Sequence, residues 1–313
     1  IKKFDTLNSI FNSNNSISSF LTIQEGCDKF CKFCVVPYTR GAEFSRSDKE
    51  ILSEAEQLVN NGSKEIILLG QNVNAYNYEN KRLSDLILEI SKIKNLKRIR
   101  YTTSHPVDFT DDLITVHKDC KKLMPLIHLP VQSGSDKILK AMNRKHNIEQ
   151  YMKIIKKLKK LNINIKFSSD FIIGYPEETA EDFNKTLNLM KKIGFINSYS
   201  FIFSGRPGTP AFKLPKVDNI EAKKRLIQFQ TVAGNIKRKY RETLINETRA
   251  VLFENKIKND NKYFGRDEYF NSVVVESNEK LTGMIKNVKI LESNQNTLFG
   301  EIISTINQKK SAA

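Results

Sequence analysis

Three cysteines within eight residues constrain this chain more than any other feature of its sequence. Cys27, Cys31 and Cys34 have the spacing C-x3-C-x2-C. Thiolates on one short loop can each bind one iron of a [4Fe–4S] cluster, and three ligands leave the fourth iron open. An open position is typical of catalytic metal sites, whereas structural zinc takes four protein ligands. No C-x2-C or H-x3-H pair follows, so we predict an iron–sulfur cluster, with zinc or inert thiols as the alternatives.

The chain before residue 218 alternates between strand-like and helix-like patterns. Apolar, often β-branched runs predict six buried strands at 21–24, 65–70, 98–103, 126–131, 164–174 and 199–204. Helical spacing predicts helices at 47–62, 83–93, 149–161 and 179–193, and Ser47-x-x-Glu50 predicts a capping box at the start of the first of these. Such alternation predicts an α/β fold, a partial (β/α)6 barrel with helices outside. The cysteine loop follows the first strand, at the barrel end where such folds carry out their chemistry.

The pattern changes near residue 218. Residues 218–244 form one long charged helical stretch, and strand patterns alone follow it. Five short runs separated by Gly and Asn turns predict a small antiparallel β-barrel with strands at 250–257, 262–266, 272–276, 284–291 and 297–306. We therefore expect a Ser- and Asn-rich linker at 1–19, an α/β domain at 20–246 and the small barrel at 247–313.

The net charge of the chain is +16 at pH 7, and the small barrel contributes little of it, with ten Lys and Arg against nine Asp and Glu in residues 246–313. An excess of this size favours an anionic partner such as nucleic acid. Compositional bias is the simpler alternative, because Asn, Ile and Lys are all abundant. No apolar run approaches the ~18 residues of a membrane span, so we expect no membrane partner. The few cysteines suggest a reducing compartment, the cytoplasm.

Several stretches beyond the cysteines resemble a known family. The cysteine loop itself resembles that of the radical S-adenosylmethionine enzymes. The sequence is similar to the methylthiotransferases among them at residues 22–27 (TIQEGC), 34–41 (CVVPYTRG), 69–74 (LGQNVN), 102–106 (TTSHP), 128–135 (HLPVQSGS), 168–179 (SSDFIIGYPEET) and 204–210 (SGRPGTP). The resemblance implies that S-adenosylmethionine chelates the open iron through its amine and carboxylate, and that reduction yields a 5′-deoxyadenosyl radical. It also implies that Phe33 lies beside the adenine.

The candidate cofactor-binding residues are polar or small residues at predicted strand ends. The alternatives are an ordinary turn after the second strand and a buried salt bridge at Asp170, whose burial without a partner would be costly. We expect His105 and His128 to be hydrogen-bonded core residues and Cys120 to be an inert thiol. Besides Phe33, the candidates are Gly70, Gln71 and Asn72 for the methionyl end, Gln132 and Ser133 for a cofactor contact, Asp170 for the ribose hydroxyls, and Arg206 for phosphate or the cofactor carboxylate.

The resemblance is strongest to the branch that acts on isopentenyladenosine beside the anticodon of tRNA, and the terminal barrel resembles the family's RNA-binding TRAM domain. It implies tRNA as substrate and a flavodoxin- or ferredoxin-like electron donor. Basic residues of the long helix and the barrel are the candidate phosphate contacts, namely Lys237, Arg238, Arg241 and Arg266. Threonylcarbamoyladenosine tRNA as substrate, and a non-catalytic RNA-binding module with a structural metal, are the alternatives.

The sequence departs from the family pattern in two places. Many radical enzymes have Gly-Gly-Glu after the second strand, whereas this chain has Gly70-Gln71-Asn72. The family also carries an N-terminal domain with three further cysteines for a second cluster, and the only other cysteine here is Cys120. We therefore expect the second cluster only in the full-length protein, and expect these residues alone to cleave S-adenosylmethionine without methylthiolating RNA.

Overall fold

A computed structural model describes residues 16–161, 164–258 and 260–303. The chain divides into two compact units, one formed by Ser19–Lys237 and the other by Ser16–Ser18 with the residues from Arg238 onward. The division falls between Lys237 and Arg238, which lie in one helix.

The first unit and the helix that ends it contain short strands interleaved with helices. The strands are β1 (Ser18–Thr22), β2 (Gln24–Glu25), β3 (Phe44–Ser45), β4 (Glu65–Leu69), β5 (Asn77–Tyr78), β6 (Lys81–Arg82), β7 (Arg98–Tyr101), β8 (Leu126–His128), β9 (Lys166–Ile173) and β10 (Asn197–Ile202). The helices are α1 (Val36–Thr39), α2 (Asp48–Asn60), α3 (Leu83–Ser91), α4 (Asp111–Asp119), α5 (Asp136–Ala141), α6 (Ile148–Lys159), α7 (Ala180–Ile193) and α8 (Asn219–Glu242).

The six predicted strands are present and form two three-stranded sheets, in the orders β1-β4-β7 and β10-β9-β8. Strands β4 and β7 are parallel, as are β8, β9 and β10. An isolated parallel bridge joins Ile99 to Leu123, just before β8, and Met124 N donates to the Ile99 carbonyl at 3.0 Å. The partial barrel that the alternation predicted is confirmed, and β1 begins at Ser18, inside the expected linker.

Helix boundaries follow local sequence signals. Thr179 caps α7, because its hydroxyl accepts from Asp182 N while the Asp182 carboxylate accepts from Thr179 N. Gly194 ends this helix with a left-handed φ of 73°. Helix α2 starts after Ser47 as predicted, but the Ser47 side chain makes no capping hydrogen bond, so the predicted capping box does not form.

The core of the first unit lies between the strands and the helices that cover them. Ile66 and Leu68 of β4 are fully buried, as expected for alternate residues of a strand that face the helices. Tyr151, Ile155 and Leu158 bury one face of α6 at helical spacing. The lysines of α6 lie on its other faces.

The second unit is a closed barrel in the strand order β11-β12-β13-β15-β14. Its strands are β11 (Thr248–Lys256), β12 (Lys262–Arg266), β13 (Ser272–Glu276), β14 (Ile285–Ser293) and β15 (Thr297–Ile302). All neighbours pair antiparallel except β13 and β15, which are parallel. Small residues permit tight closure, since a Cβ on Gly265 or Gly300 would lie 2.5 or 2.3 Å from a carbonyl oxygen of the next strand. In the described part of the chain, no helix is both long enough and apolar enough to cross a membrane.

Candidate cluster and cofactor site

The cysteine loop lies between β2 and β3, which pair as a hairpin after β1. Hydrogen bonds fix the start of this loop. Gly26 has a φ of 76°, and a Cβ there would lie 2.0 Å from the carbonyl oxygen of Ala42, so only glycine fits. Cys27 N donates to the Gly41 carbonyl at 3.1 Å. Gln71 Oε1 accepts from Gly26 N at 2.7 Å. The start of the loop is therefore held by both the hairpin and the end of β4.

The three clustered cysteines are free thiols, as is Cys120. Cys31 is buried, and Cys27 and Cys34 are half-buried. Burial raises the pKa of Cys27 to about 11, so a thiolate there needs a compensating cation such as iron. Among the residues that the structure describes, no three Cys, His, Asp or Glu side chains converge as a single ion requires. A cubane binds each thiolate through a different iron, and three thiolates on one loop are a donor set that fits such a cluster.

A polar network lies beside the start of the loop. Lys29 Nζ contacts Asp108 Oδ2 at 2.9 Å and Glu43 Oε1 at 3.7 Å. Asn72 Nδ2 donates to Asp108 Oδ2 at 2.7 Å and to Glu43 Oε1 at 3.0 Å. Asn72 is 1% exposed and its Oδ1 has no partner among the described residues. Glu43 also acts on the Cys27 thiol electrostatically. One cation and two carboxylates thus meet next to the predicted cluster.

The end of β4 is joined to the loop through Gln24. Its Oε1 accepts from Asn72 N at 3.0 Å, and its Nε2 donates to the Gly26 carbonyl at 2.8 Å. A Cβ on Gly70 would lie 2.6 Å from Gln24 Oε1. The predicted stretch Gly70-Gln71-Asn72 therefore lies against the cysteine loop, where Gly70 and Gln71 brace the loop and Asn72 holds the carboxylates.

Sequence reasoning missed three charged residues near the cysteines: Glu43, Asp108 and Arg144. Glu43 directly precedes β3, the second strand of the hairpin, and Asp108 follows the motif at 102–106 by two residues. Arg144 Nη1 donates to Cys31 Sγ at 3.4 Å. Only proximity to a recognised motif could have indicated Asp108, and no sequence signal points to Arg144.

Gln132 and Ser133 occupy different environments although they are adjacent. Gln132 has a left-handed φ of 76° and its backbone pairs with β9, as Gln132 N donates to the Asp170 carbonyl at 3.0 Å. Ser133 is 0% exposed, and its hydroxyl lies 3.3 Å from Thr186 Oγ1 and accepts from Ser135 N. Contrary to our expectation, Ser133 packs under α7, and its hydrogen bonds are made within the protein.

Asp170 is less buried than the apolar strand around it suggested. Its side chain is 32% exposed and lies 3.5 Å from His128 Nε2. His128 Nδ1 lies 2.9 Å from Ser168 Oγ, and the His128 ring makes an edge contact with Tyr199. These residues of β8, β9 and β10 form one polar group on neighbouring strands. The carboxylate remains accessible to a ligand.

The remaining candidates occupy several positions. Phe33 is half-buried and packs against a small cluster of buried apolar residues that includes Tyr175. Arg206 is exposed in the segment after β10. His105 is 5% exposed, its Nδ1 accepts from a backbone amide at 3.2 Å, and burial holds its pKa well below the usual range. Cys120 is 5% exposed at the end of α4.

Comparison with known proteins assigns the chain to a family. Residues 21–190 match the model of the Radical SAM superfamily. A relative from Pelagibacter ubique (strain HTCC1062), named tRNA-2-methylthio-N(6)-dimethylallyladenosine synthase, is 55% identical over 313 residues, covering 99% of this chain and 70% of the relative. This chain belongs to that synthase family. A relative of the same name from Wolbachia pipientis subsp. Culex pipiens (strain wPip) is 49% identical over 308 residues, covering 96% of this chain and 70% of the relative.

Solved structures share the fold at low sequence identity. The radical S-adenosylmethionine methyltransferase TsrM from Kitasatospora setae superposes with a TM-score of 0.54 at 14% identity, covering 63% of this chain and 38% of that chain. Coproporphyrinogen III oxidase (HemN) from Escherichia coli gives 0.53 at 14% identity, covering 94% and 74%. The α/β fold class predicted from the sequence is confirmed by this similarity.

The predicted RNA contacts of this family member differ in accessibility. The Arg238 side chain is 67% exposed and lies 3.8 Å from Glu242. Arg266 pairs with Glu254 at 3.2 Å and lies over the Phe270 ring at 4.2 Å. Lys237 is half-buried.

Arg241 is a correction to the prediction. It is 4% exposed, and its Nη1 and Nη2 donate to the carbonyls of Asn294 and Asn296 at 2.8 and 2.9 Å. The guanidinium therefore secures the turn before β15, and phosphate could reach it only if these bonds broke.

Proposed function

We propose that this chain binds a [4Fe–4S] cluster through Cys27, Cys31 and Cys34, binds S-adenosylmethionine at the open iron, and supplies the radical half of an enzyme that methylthiolates C2 of isopentenyladenosine beside the anticodon of tRNA. The observation that carries the proposal is the set of three free thiols on one braced loop, in a chain 55% identical to a tRNA-2-methylthio-N(6)-dimethylallyladenosine synthase. When bound, the reduced cluster supplies the electron that cleaves S-adenosylmethionine to a radical. Radical chemistry is needed because the C2–H bond is strong and not acidic.

The residues around the loop suit the methionyl end of this cofactor, which carries an ammonium and a carboxylate. Glu43 and Asp108 are the acceptors for the ammonium, and Asn72 orients both carboxylates. Lys29, now paired with them, is the cation available to the methionyl carboxylate. Two carboxylates from other elements thus take the role of the glutamate that Gly70-Gln71-Asn72 lacks. Asp170, with 32% of its side chain exposed, suits the ribose hydroxyls, and Phe33, Gln132 and Arg206 are the further candidates.

The target base has to leave its stack to reach the barrel interior, as bases do in enzymes that modify them. The net charge of +16 supports binding to RNA phosphates. Arg238 and Arg266 are the accessible basic candidates of the second unit, with Lys237 at the end of the first. Arg266 stacked on Phe270 resembles the Arg–aromatic surfaces on which RNA bases stack.

The reaction requires further partners. A flavodoxin- or ferredoxin-like protein is the electron donor that we propose, and the cytoplasm, where tRNA is modified, is the location. A second cluster with three cysteine ligands requires residues outside these 313, since Cys120 is the only cysteine beyond the loop.

The test is anaerobic reconstitution followed by measurement of iron and of 5′-deoxyadenosine released from S-adenosylmethionine under reduction. We expect both in the unaltered protein and in Cys120→Ala, and a loss of both in Cys31→Ala. A zinc protein, the structural-metal alternative, would give no cluster absorbance and no cleavage. Cysteine-independent iron or cleavage would also contradict the proposal.

A further inference from the structure

The segment that follows α5 is tied to the cysteine loop at three consecutive residues. The Met142 carbonyl accepts from Lys32 N at 2.9 Å, and Asn143 Nδ2 donates to the Phe30 carbonyl at 2.8 Å. Arg144 Nη1 donates to Cys31 Sγ at 3.4 Å. The residues in contact are separated by more than a hundred positions, 113 for the last two pairs. The middle of the cysteine loop is therefore braced by a second, distant part of the chain.

Arg144 is a buried cation. It is 7% exposed, and its Nη2 donates to the Pro130 carbonyl at 2.7 Å. Within residues 16–161, 164–258 and 260–303, no carboxylate oxygen forms a salt bridge with it. Burying a charge without an opposite charge is expensive. The thiolates that Cys31 and Cys34 would present to a cluster place negative charge beside this guanidinium, since Cys31 Sγ accepts its hydrogen bond and Cys34 interacts with it electrostatically.

The two histidines beside Arg144 do not share this role. The His105 and His146 rings lie 5.8 Å apart, edge to face. Burial, together with the charge of Arg144, lowers the pKa of His146 to about 3 and holds that of His105 far below neutrality. Both rings are therefore neutral, and the positive charge next to Cys31 is that of Arg144.

We propose that Arg144 is a positioning residue that raises the reduction potential of the cluster held by Cys27, Cys31 and Cys34. The inference rests on the proposed function. Reduction adds one electron to the cluster and its thiolates, which increases their negative charge. A cation that donates a hydrogen bond to one sulfur stabilises the reduced state more than the oxidised state, and hydrogen bonds to sulfur are a recognised determinant of cluster potentials.

Substitutions can separate the effect of the Arg144 charge from the effect of losing the hydrogen bonds that hold the cysteine loop. Arg144→Gln removes the charge, and Arg144→Lys keeps the charge but loses the planar fork that bridges Cys31 and Pro130. Asn143→Ala removes a neighbouring tie to the loop and changes no charge. Lys145→Gln is the matched control for charge, because Lys145 is exposed and solvent screens surface charges.

The experiment is a redox titration of the anaerobically reconstituted protein, with the reduced cluster followed by electron paramagnetic resonance and with iron measured in each variant. Loss of a charge-assisted hydrogen bond to the cluster sulfur should lower the ratio of reduced to oxidised cluster about tenfold in Arg144→Gln. For a one-electron couple this is a shift of about 59 mV to more negative potential. Arg144→Lys should shift less, and Asn143→Ala and Lys145→Gln should keep the original midpoint.

A loaded Arg144→Gln cluster with the original midpoint would overturn the inference. If Arg144→Gln fails to load, Arg144→Met, which also removes the charge, replaces it: a more negative midpoint supports the inference, and an unchanged midpoint contradicts it. A shift of equal size in Lys145→Gln would also contradict it. Failure of the proposed function looks different, because the unaltered protein would then show no reducible [4Fe–4S] signal.

Discussion

Replacing Asp108 with asparagine should weaken binding of S-adenosylmethionine through its amino-acid end alone. Asp108 Oδ2 lies 2.7 Å from Asn72 Nδ2 and 2.9 Å from Lys29 Nζ, so the carboxylate is held in place before the cofactor arrives. Asparagine keeps the shape of the side chain and removes the charge that would face the methionyl ammonium. A hydrogen bond to a charged group contributes about 1.5–3 kcal/mol, which corresponds to a Kd about tenfold to hundredfold higher.

The assay compares two ligands on the reconstituted protein by equilibrium binding. S-adenosylmethionine carries the amino-acid end, and 5′-methylthioadenosine shares the nucleoside but lacks that end. Asp108→Asn and Glu43→Gln should weaken the first ligand and leave the second unchanged. Asp28→Asn is the control, because Asp28 is an exposed carboxylate on the same loop. Equal weakening of both ligands, or no weakening of S-adenosylmethionine, would refute the assignment of these carboxylates to the ammonium.

Three further predictions concern stability and RNA binding. Gly134→Ala should lower the free energy of unfolding by about 1–3 kcal/mol, because its Cβ would lie 2.5 Å from Thr186 Cα. Gly234→Ala lies in open space within α8 and should raise the free energy of unfolding by up to about 1 kcal/mol. The unfolding temperatures of the two variants should therefore shift in opposite directions from that of the unaltered protein. Burial raises the pKa of Asp182, but hydrogen bonds to its carboxylate, led by that from Ser135, outweigh burial and hold the pKa at about 2. The stability that Asp182 adds relative to Asp182→Asn should therefore be complete above pH 3.8 and disappear as the pH falls through about 2. Chemical unfolding of both proteins at each pH measures this difference. Arg238→Ala should weaken tRNA binding and reduce its salt dependence, while Arg241→Ala should mainly destabilise the second unit; a salt dependence that is unchanged in Arg238→Ala would count against phosphate contact.

The strands and helices predicted most accurately are those whose starts and ends are both marked by turn or capping residues in the sequence. Strands β12 and β13 begin and end at the predicted residues, because turn residues bound their alternating patterns on both sides. Helix α7 has both a capping threonine and a terminal glycine, and its start differs from the prediction by one residue. Helices α4 and α5 were not predicted, and the six residues of α5 are too few for a helical period to stand out.

The site was predictable only to the extent that its residues belong to one loop or one strand end. The spacing of Cys27, Cys31 and Cys34 identifies them as a site. Arg144 contacts Cys31 although the two are 113 positions apart in the sequence, and no sequence pattern links them. Position at a strand end also leaves the side-chain direction open. Ser133 satisfies its hydroxyl under a helix, and Asp170 keeps a third of its side chain exposed beside His128. Long-range packing decided these outcomes.

The claim that an open iron at this loop binds S-adenosylmethionine can be measured directly. The reduced, reconstituted protein would be mixed with S-adenosylmethionine isotopically labelled at the amino nitrogen, and electron–nuclear double resonance would record coupling between the label and the cluster. We predict a coupling strong enough to require a direct iron–nitrogen bond, present in Cys120→Ala and absent when cofactor is omitted. A [4Fe–4S] signal without any coupling to the labelled nitrogen would contradict the account.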